Sequence, residues 1–140
     1  MAIWRMPMNI QLVNQRGLNT MAEHLQIQFT AYTEDSLTAT MPVDHRTNQP
    51  LGILNGGASC ALAETVSSTA ANFCVDQSIE YCVGLDINAN HLRPARSGLV
   101  IAVTKPIHIG KRTQVWCINI FNEEQKQICI ARMTMAVITR

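Results

Sequence analysis

The sequence predicts a single α+β domain, residues 1–140, in which an antiparallel sheet covers one long apolar helix. Three observations lead there. The chain has 140 residues, 47% of them apolar, enough for one well-filled core and too few for two domains. Between Gln49 and Phe73 it holds an apolar stretch with a single charge, Glu64. Two alternating segments precede that stretch and four follow it, an order that suits a sheet laid over a helix.

The elements are expected in this order. Met8 to Gln15 suits a short amphipathic helix. LQIQFTAYTE alternates Leu25, Ile27, Phe29 and Ala31 with more polar neighbours, and SLTATMPV does the same with Leu37, Ala39 and Met41. With Glu34 and Asp35 as the turn, the two read as a hairpin. A polar loop spans Asp44 to Pro50. Gly56 and Gly57 then lead into a proline-free run of Ala, Ser, Cys and Leu, which predicts a helix from about Gly57 to Val75. Strands are expected over Cys82 to Leu92, Gly98 to Ile107, Thr113 to Phe121 and Ile128 to Thr139, with turns at Gly110-Lys111 and Asn122-Glu123-Glu124.

Composition excludes several classes of function. The five cysteines, at 60, 74, 82, 117 and 129, form no CxxC pair and no Cys/His spacing suited to zinc, so reduced core thiols are expected and no metal or cofactor is called for. No stretch approaches the ~20 apolar residues that span a bilayer, and the start, MAIWRMPMNIQ, does not read as a signal peptide. No membrane association is expected, and the expected compartment is the cytoplasm. The net charge of +1 conceals an asymmetry: Ile87 to Asn122 carries five Lys or Arg and no acid, whereas the remainder carries six bases against ten acids. A basic segment of this kind suits either an anionic partner or a solvated strand face.

The helix is the informative element. At 100° per residue the bulky Leu62, Val66 and Phe73 fall opposite Glu64, at about 160° to 200°. The arc within about 60° of Glu64 holds Gly57, Cys60, Ala61, Ser67, Ser68, Ala71 and Val75. An ordinary solvated helix face carries several Lys, Glu or Gln residues. This one does not, so the small-residue side is expected to meet a second subunit or a ligand, with Glu64 in a crevice between. Burial without a cationic partner is expected to strengthen that carboxylate as a base. At the helix entrance, the free N–H groups and the macrodipole make Gly56 and Gly57 a close approach for a substrate oxygen.

QPLGILNGGASCALAE, with MPVDHRTNQP before it and VGLDINANHLRPARSG after it, resembles the hot-dog-fold acyl-CoA thioesterases of the PaaI-like type, which act on 4-hydroxybenzoyl-CoA or 1,4-dihydroxy-2-naphthoyl-CoA. The likeness extends through KPIHIGKRTQVW to the final strand. It implies a hot-dog fold, acyl-CoA as substrate, and a homo-oligomer, a dimer or dimer of dimers, with active sites at the dimer interface. Glu64 is then the nucleophile or general base. Gly56 N–H is the donor polarising the thioester carbonyl, contributed by the subunit facing the one that supplies Glu64. Gln49 orients water or the acyl end, Ser68 assists positioning, and His91 lies near the acyl pocket.

This chain departs from the family at Asn55, where the residue before the paired glycines is usually histidine. Asparagine keeps donor and acceptor groups but carries no proton near neutral pH. Coenzyme A supplies a reason for the basic segment: Arg93, Arg96, Lys111 and Arg112, with His108, are the candidates for its phosphates. Competing readings are a non-catalytic acyl-CoA-binding protein, in which Asn55 marks lost chemistry, and a purely structural oligomer, which leaves Glu64 unexplained. Nucleic-acid binding by the basic strands is not expected, since that segment offers only Trp116 and Phe121 for stacking.

Overall fold

The computed structural model describes residues 1–140. The elements are α1 (Ile10–Arg16), α2 (Met21–His24), β1 (Gln28–Tyr32), β2 (Leu37–Pro42), α3 (Gly56–Phe73), β3 (Glu80–His91), β4 (Leu99–Ile109), β5 (Thr113–Phe121) and β6 (Gln127–Thr139). No helix is long and apolar enough to cross a membrane.

Both short helices begin on capping side chains: Asn9 accepts from Leu12 N–H, and Thr20 accepts from Ala22 N–H. The sequence reading did not anticipate α2, which at four residues is too short to show a period. It also shortens β1. The backbone turns at Gln26, with φ 53°, and Ile27 N–H bonds back to Ala22 C=O, so pairing starts at Gln28 rather than Leu25. The expected β1–β2 hairpin is present, closed by Thr33 N–H donating to Ser36 C=O.

All six strands form one antiparallel sheet in the order β1-β2-β4-β5-β6-β3. It curls around α3 so that the helix is the axis and the sheet the wrapping. The bulky helix stripe behaves as the wheel requires, with Leu62 and Val66 fully buried and Phe73 nearly so. It packs into a core that includes Leu37, Met41, Val100, Trp116, Ile118 and Met133. One polar pair closes inside it, where Trp116 Nε1–H donates to Oε1 of the fully buried Gln114 at 2.9 Å. A buried indole requires such an acceptor.

The opposite side of α3 divides, contrary to the expectation that it would face outward as a whole. Ser67, Ala71 and Val75 are buried within this protomer, and the Ser67 hydroxyl is spent on Ala63 C=O at 2.7 Å. The reason is β3, the edge strand, which crosses the second half of the helix. Asn72 fixes it there, its side chain accepting from Cys82 N–H at 2.8 Å and donating to Cys82 C=O at 3.1 Å. The first half of the small-residue face, with Cys60, Ala61 and Glu64, remains open to a partner or ligand, and in the second half Ser68 alone is only half-buried. The helix stops at Phe73 rather than Val75, on a tightened turn with Cys74 N–H bonding to Ala71 C=O. All five cysteines are free thiols.

β3 itself is irregular. Its pairing with β6 shifts register between Gly84 and Asp86, so Leu85 bulges out and is 62% exposed. Bulges of this kind re-aim side chains beside functional sites.

Leu62 is the test of the helix–sheet core. Leu62→Ala is expected to lower unfolding free energy by about 2–5 kcal/mol in urea titration, the range for a fully buried leucine truncated to a methyl group.

Candidate active site

Four backbone N–H groups open a helix without helical partners, and the start of α3 deals with them unequally. Asn55 N–H donates to Thr47 C=O at 2.8 Å, Gly57 N–H to the Asn55 side-chain oxygen at 2.7 Å, and Ala58 N–H to Asn55 C=O at 3.0 Å. Gly56 N–H bonds to nothing within the chain. Asn55 is therefore the N-cap, and the way it caps leaves one amide free.

A small hairpin holds this amide in place. Gln49 N–H donates to Ile53 C=O, Asn48 bridges Leu54, and the side chain of Gln49 accepts from Leu51 N–H. The Thr47 side chain, 1% exposed with its residue, anchors the hairpin by donating to Pro42 C=O at 2.8 Å and accepting from Asp44 N–H at 3.1 Å. Arg46 braces it from outside through Asp44 and Gln26. Its hydrogen bonds hold the Asp44 carboxyl at about 2, well below the usual range. None of these supports was foreseen in the sequence, where the segment reads only as a polar loop.

The cavity beside the free amide measures ≈490 Å³ and is lined by Gln49, Gly56, His91, Arg93 and Arg96, among others. His91 lies against Gly56: a Cβ on that glycine would stand 2.8 Å from His91 Nε2. This puts the imidazole beside the start of α3. Arg93 is tied to the β6 start, Nη1 donating to Gln127 C=O at 2.7 Å, while Arg96 makes no ion pair. His108, Lys111 and Arg112 are exposed around the β4–β5 turn and do not line this cavity.

Glu64 lies elsewhere. Its carboxylate is exposed in the single protomer and rests across the bare backbone of β3, where a Cβ on Gly84 would stand 2.5 Å from Oε1. Gly84 thus makes room for the acid at the open edge of the sheet, a role visible only once strand and helix are set side by side. Its charge, together with burial, raises the pKa of the Cys60 thiol one turn earlier, burial contributing more. Ser68 lines a second cavity of ≈240 Å³ on the other side of the helix face, against α1. Eight residues separate Gly56 from Glu64, about 12 Å of helix. Within one protomer no single carbonyl can touch both.

Comparison with known proteins settles the family. Residues 51–129 match the model of the thioesterase superfamily. The chain belongs to the thioesterase superfamily. It is 46% identical to the 1,4-dihydroxy-2-naphthoyl-CoA hydrolase of Escherichia coli K12, over 97% of this chain and 99% of that one. It is 42% identical to the proofreading thioesterase EntH of Cronobacter turicensis, over 96% and 98%. A mutant thioesterase from Pseudomonas aeruginosa superposes with a TM-score of 0.98 at 48% identity, covering 99% of this chain and 100% of that one. The protein is accordingly an enzyme of the thioester-hydrolase class with a hot-dog fold, and the PaaI-like resemblance holds, since the PaaI protein of Escherichia coli is also a structural neighbour, with a TM-score of 0.79 at 25% identity.

For a thioesterase, the cap is where this chain is most easily tested. Asn55→Ala should lower stability by about 1 kcal/mol, as removal of an N-cap side chain does, read by urea unfolding.

Proposed function

We propose that the protein hydrolyses the thioester of an aromatic or medium-chain acyl-CoA to the free acid and coenzyme A. The observation that carries this reading is the unspent Gly56 N–H opening on a cavity with Gln49 and His91. A donor held ready at a helix N-terminus stabilises the oxyanion as it develops, and such donors are worth about 3–4 kcal/mol each. Glu64 then acts in one of two ways. As nucleophile it adds an oxygen to the carbonyl carbon, expels coenzyme A as thiolate and leaves an anhydride that water opens. As general base it takes a proton from the water that attacks directly.

The 12 Å between Gly56 and Glu64 supports a site completed by a second copy. β3 supports the same reading. It is a 12-residue edge strand without proline, and Val83 and Leu85 on it are 41% and 62% exposed. Long apolar edges invite pairing with another strand. Gly84 lies under Glu64 and His91 lies against Gly56. Two copies of β3 paired about a two-fold axis, with Gly84 opposite His91, carry the carboxylate of one protomer to the free amide of the other. The protein is thus proposed to be at least a homodimer, and a dimer of dimers where two such pairs associate.

Gln49 orients the attacking water or the carbonyl, and Ser68 assists from one turn beyond Glu64. Arg93 and Arg96 are the first candidates for the coenzyme A phosphates, with Lys111, Arg112 and His108 offering a second basic surface. Asn55, as a cap that leaves Gly56 N–H free, performs the structural part of the family histidine's task without a proton. That favours catalysis over mere acyl-CoA binding. A reaction on acyl-CoA makes the cytoplasm its compartment.

Two measurements test this. Glu64→Gln should lower kcat on aromatic and aliphatic acyl-CoAs by about 100- to 10,000-fold, followed by thiol release, with the circular dichroism spectrum unchanged; parental turnover would remove Glu64 from the chemistry. Leu85→Lys should sediment as a monomer and lose activity about 100-fold or more, as expected when a charge blocks an edge and the oxyanion donor is withdrawn. An active monomer would refute a shared site.

A further inference from the structure

The ≈240 Å³ cavity lies between α3 and the α1–α2 segment, beside the helix face that carries Glu64. It extends along α3 from Thr65 to Phe73, eight residues or about 12 Å of helix. Val13, Phe29 and Phe73 supply apolar wall. The hydroxyls of Thr65 and Ser68, which also line it, bond to nothing within the protein. Their neighbours are spent: Thr69 donates to Thr65 C=O at 2.8 Å, and Asn72 is engaged with Ser68 C=O and Cys82.

At the far end stands Arg16. Its guanidinium lies 5.5 Å from the centre of the Phe73 ring, and Nη1 is 3.3 Å from Gln77 Oε1. No carboxylate pairs with it. Other cations gather nearby. Arg140 Nε donates to Gln77 C=O at 3.0 Å, and Arg5, whose backbone N–H bonds to Phe73 C=O at 2.9 Å, acts on Asp76. Asp76 is itself turned to Ser78, accepting from its hydroxyl at 2.6 Å. Cations at a helix C-terminus have a plain structural use, since that end carries partial negative charge. This use does not explain why one of them lines a cavity of mixed lining, with Val13, Phe29 and Phe73 on its wall and unspent hydroxyls at Thr65 and Ser68.

We infer that this cavity receives the acyl half of the thioester and that Arg16 selects acyl groups bearing a carboxylate at their far end. The inference rests on the thioesterase reading of Glu64. Nine residues, about 13 Å of helix, separate Glu64 from Phe73. At roughly 1.3 Å of advance per carbon, a chain of about eight carbons bridges most of that distance. The apolar wall takes the methylenes, Thr65 and Ser68 offer hydrogen bonds near the carbonyl end, and the planar guanidinium meets the terminal carboxylate with paired donors.

The test compares suberoyl-CoA with octanoyl-CoA, equal in length and different only at the far end. The parent enzyme should favour suberoyl-CoA in kcat/KM, and rising salt should erode that preference, because the contact is charge-assisted and near the surface. Arg16→Met should reduce the suberoyl-to-octanoyl ratio about 10- to 100-fold, the range for losing a hydrogen-bonded charge, and Arg16→Lys should restore part of it. The catalytically silent Glu64→Gln should show the same preference in calorimetric dissociation constants. A parent ratio of one or less, or a ratio that Arg16→Met leaves in place, overturns the role of Arg16. Failure of the parent to hydrolyse either substrate likewise overturns the role of Arg16, whereas parental turnover by Glu64→Gln overturns instead the reading on which it rests.

Discussion

The amides at the start of α3 are the constraint on which the rest of the molecule depends. Three of the four find acceptors in Asn55 and Thr47, and the fourth, on Gly56, is left pointing into a cavity. Gly56 is only half-buried, and its N–H keeps no partner within the chain and stays accessible from the cavity. The arrangement is stable because the preceding hairpin is fixed from several directions. Thr47 is bonded into the end of β2, Arg46 grips Asp44, and Leu54 N–H reaches Ala95 C=O.

The second organising feature is the edge strand. β3 touches both candidate groups, lending its bare backbone at Gly84 to Glu64 and its imidazole at His91 to Gly56. It also covers the second half of α3, which is why the small-residue face is partly buried and partly open. The helix therefore has three surfaces with three uses. Its bulky stripe fills the core, its first small-residue turns stay open beside the edge, and its polar flank from Thr65 to Asn72 lines the smaller cavity.

Much of the fold was legible in the residues. Alternation located β2, β4, β5 and β6 to within about two residues because each has one face on the core, so the period of two is strong. β1 was read too long, since the turn at Gln26 is set by a bond to Ala22 that local alternation does not register. α2 was missed because four residues show no period. The burial of Ser67 and Ala71 was also missed: a helical wheel gives directions around an axis but not which strand lies in each direction.

Glu64, Gly56 and the cap position could be singled out from the sequence because their signals are local: a lone charge on a small-residue face, and paired glycines at a helix start. The resemblance to the hot-dog thioesterases that those residues carry determined the family and the enzyme class. What the tertiary structure decided is proximity. That Gly84 makes room for the acid, that His91 packs on Gly56, that Arg93 and Arg96 share the large cavity while Lys111 and Arg112 do not, and that Arg16 closes the small one all follow from how the sheet and α1 pack around α3. Residues tens of positions apart meet through packing and register, and neither leaves a mark within the few residues over which a sequence pattern repeats.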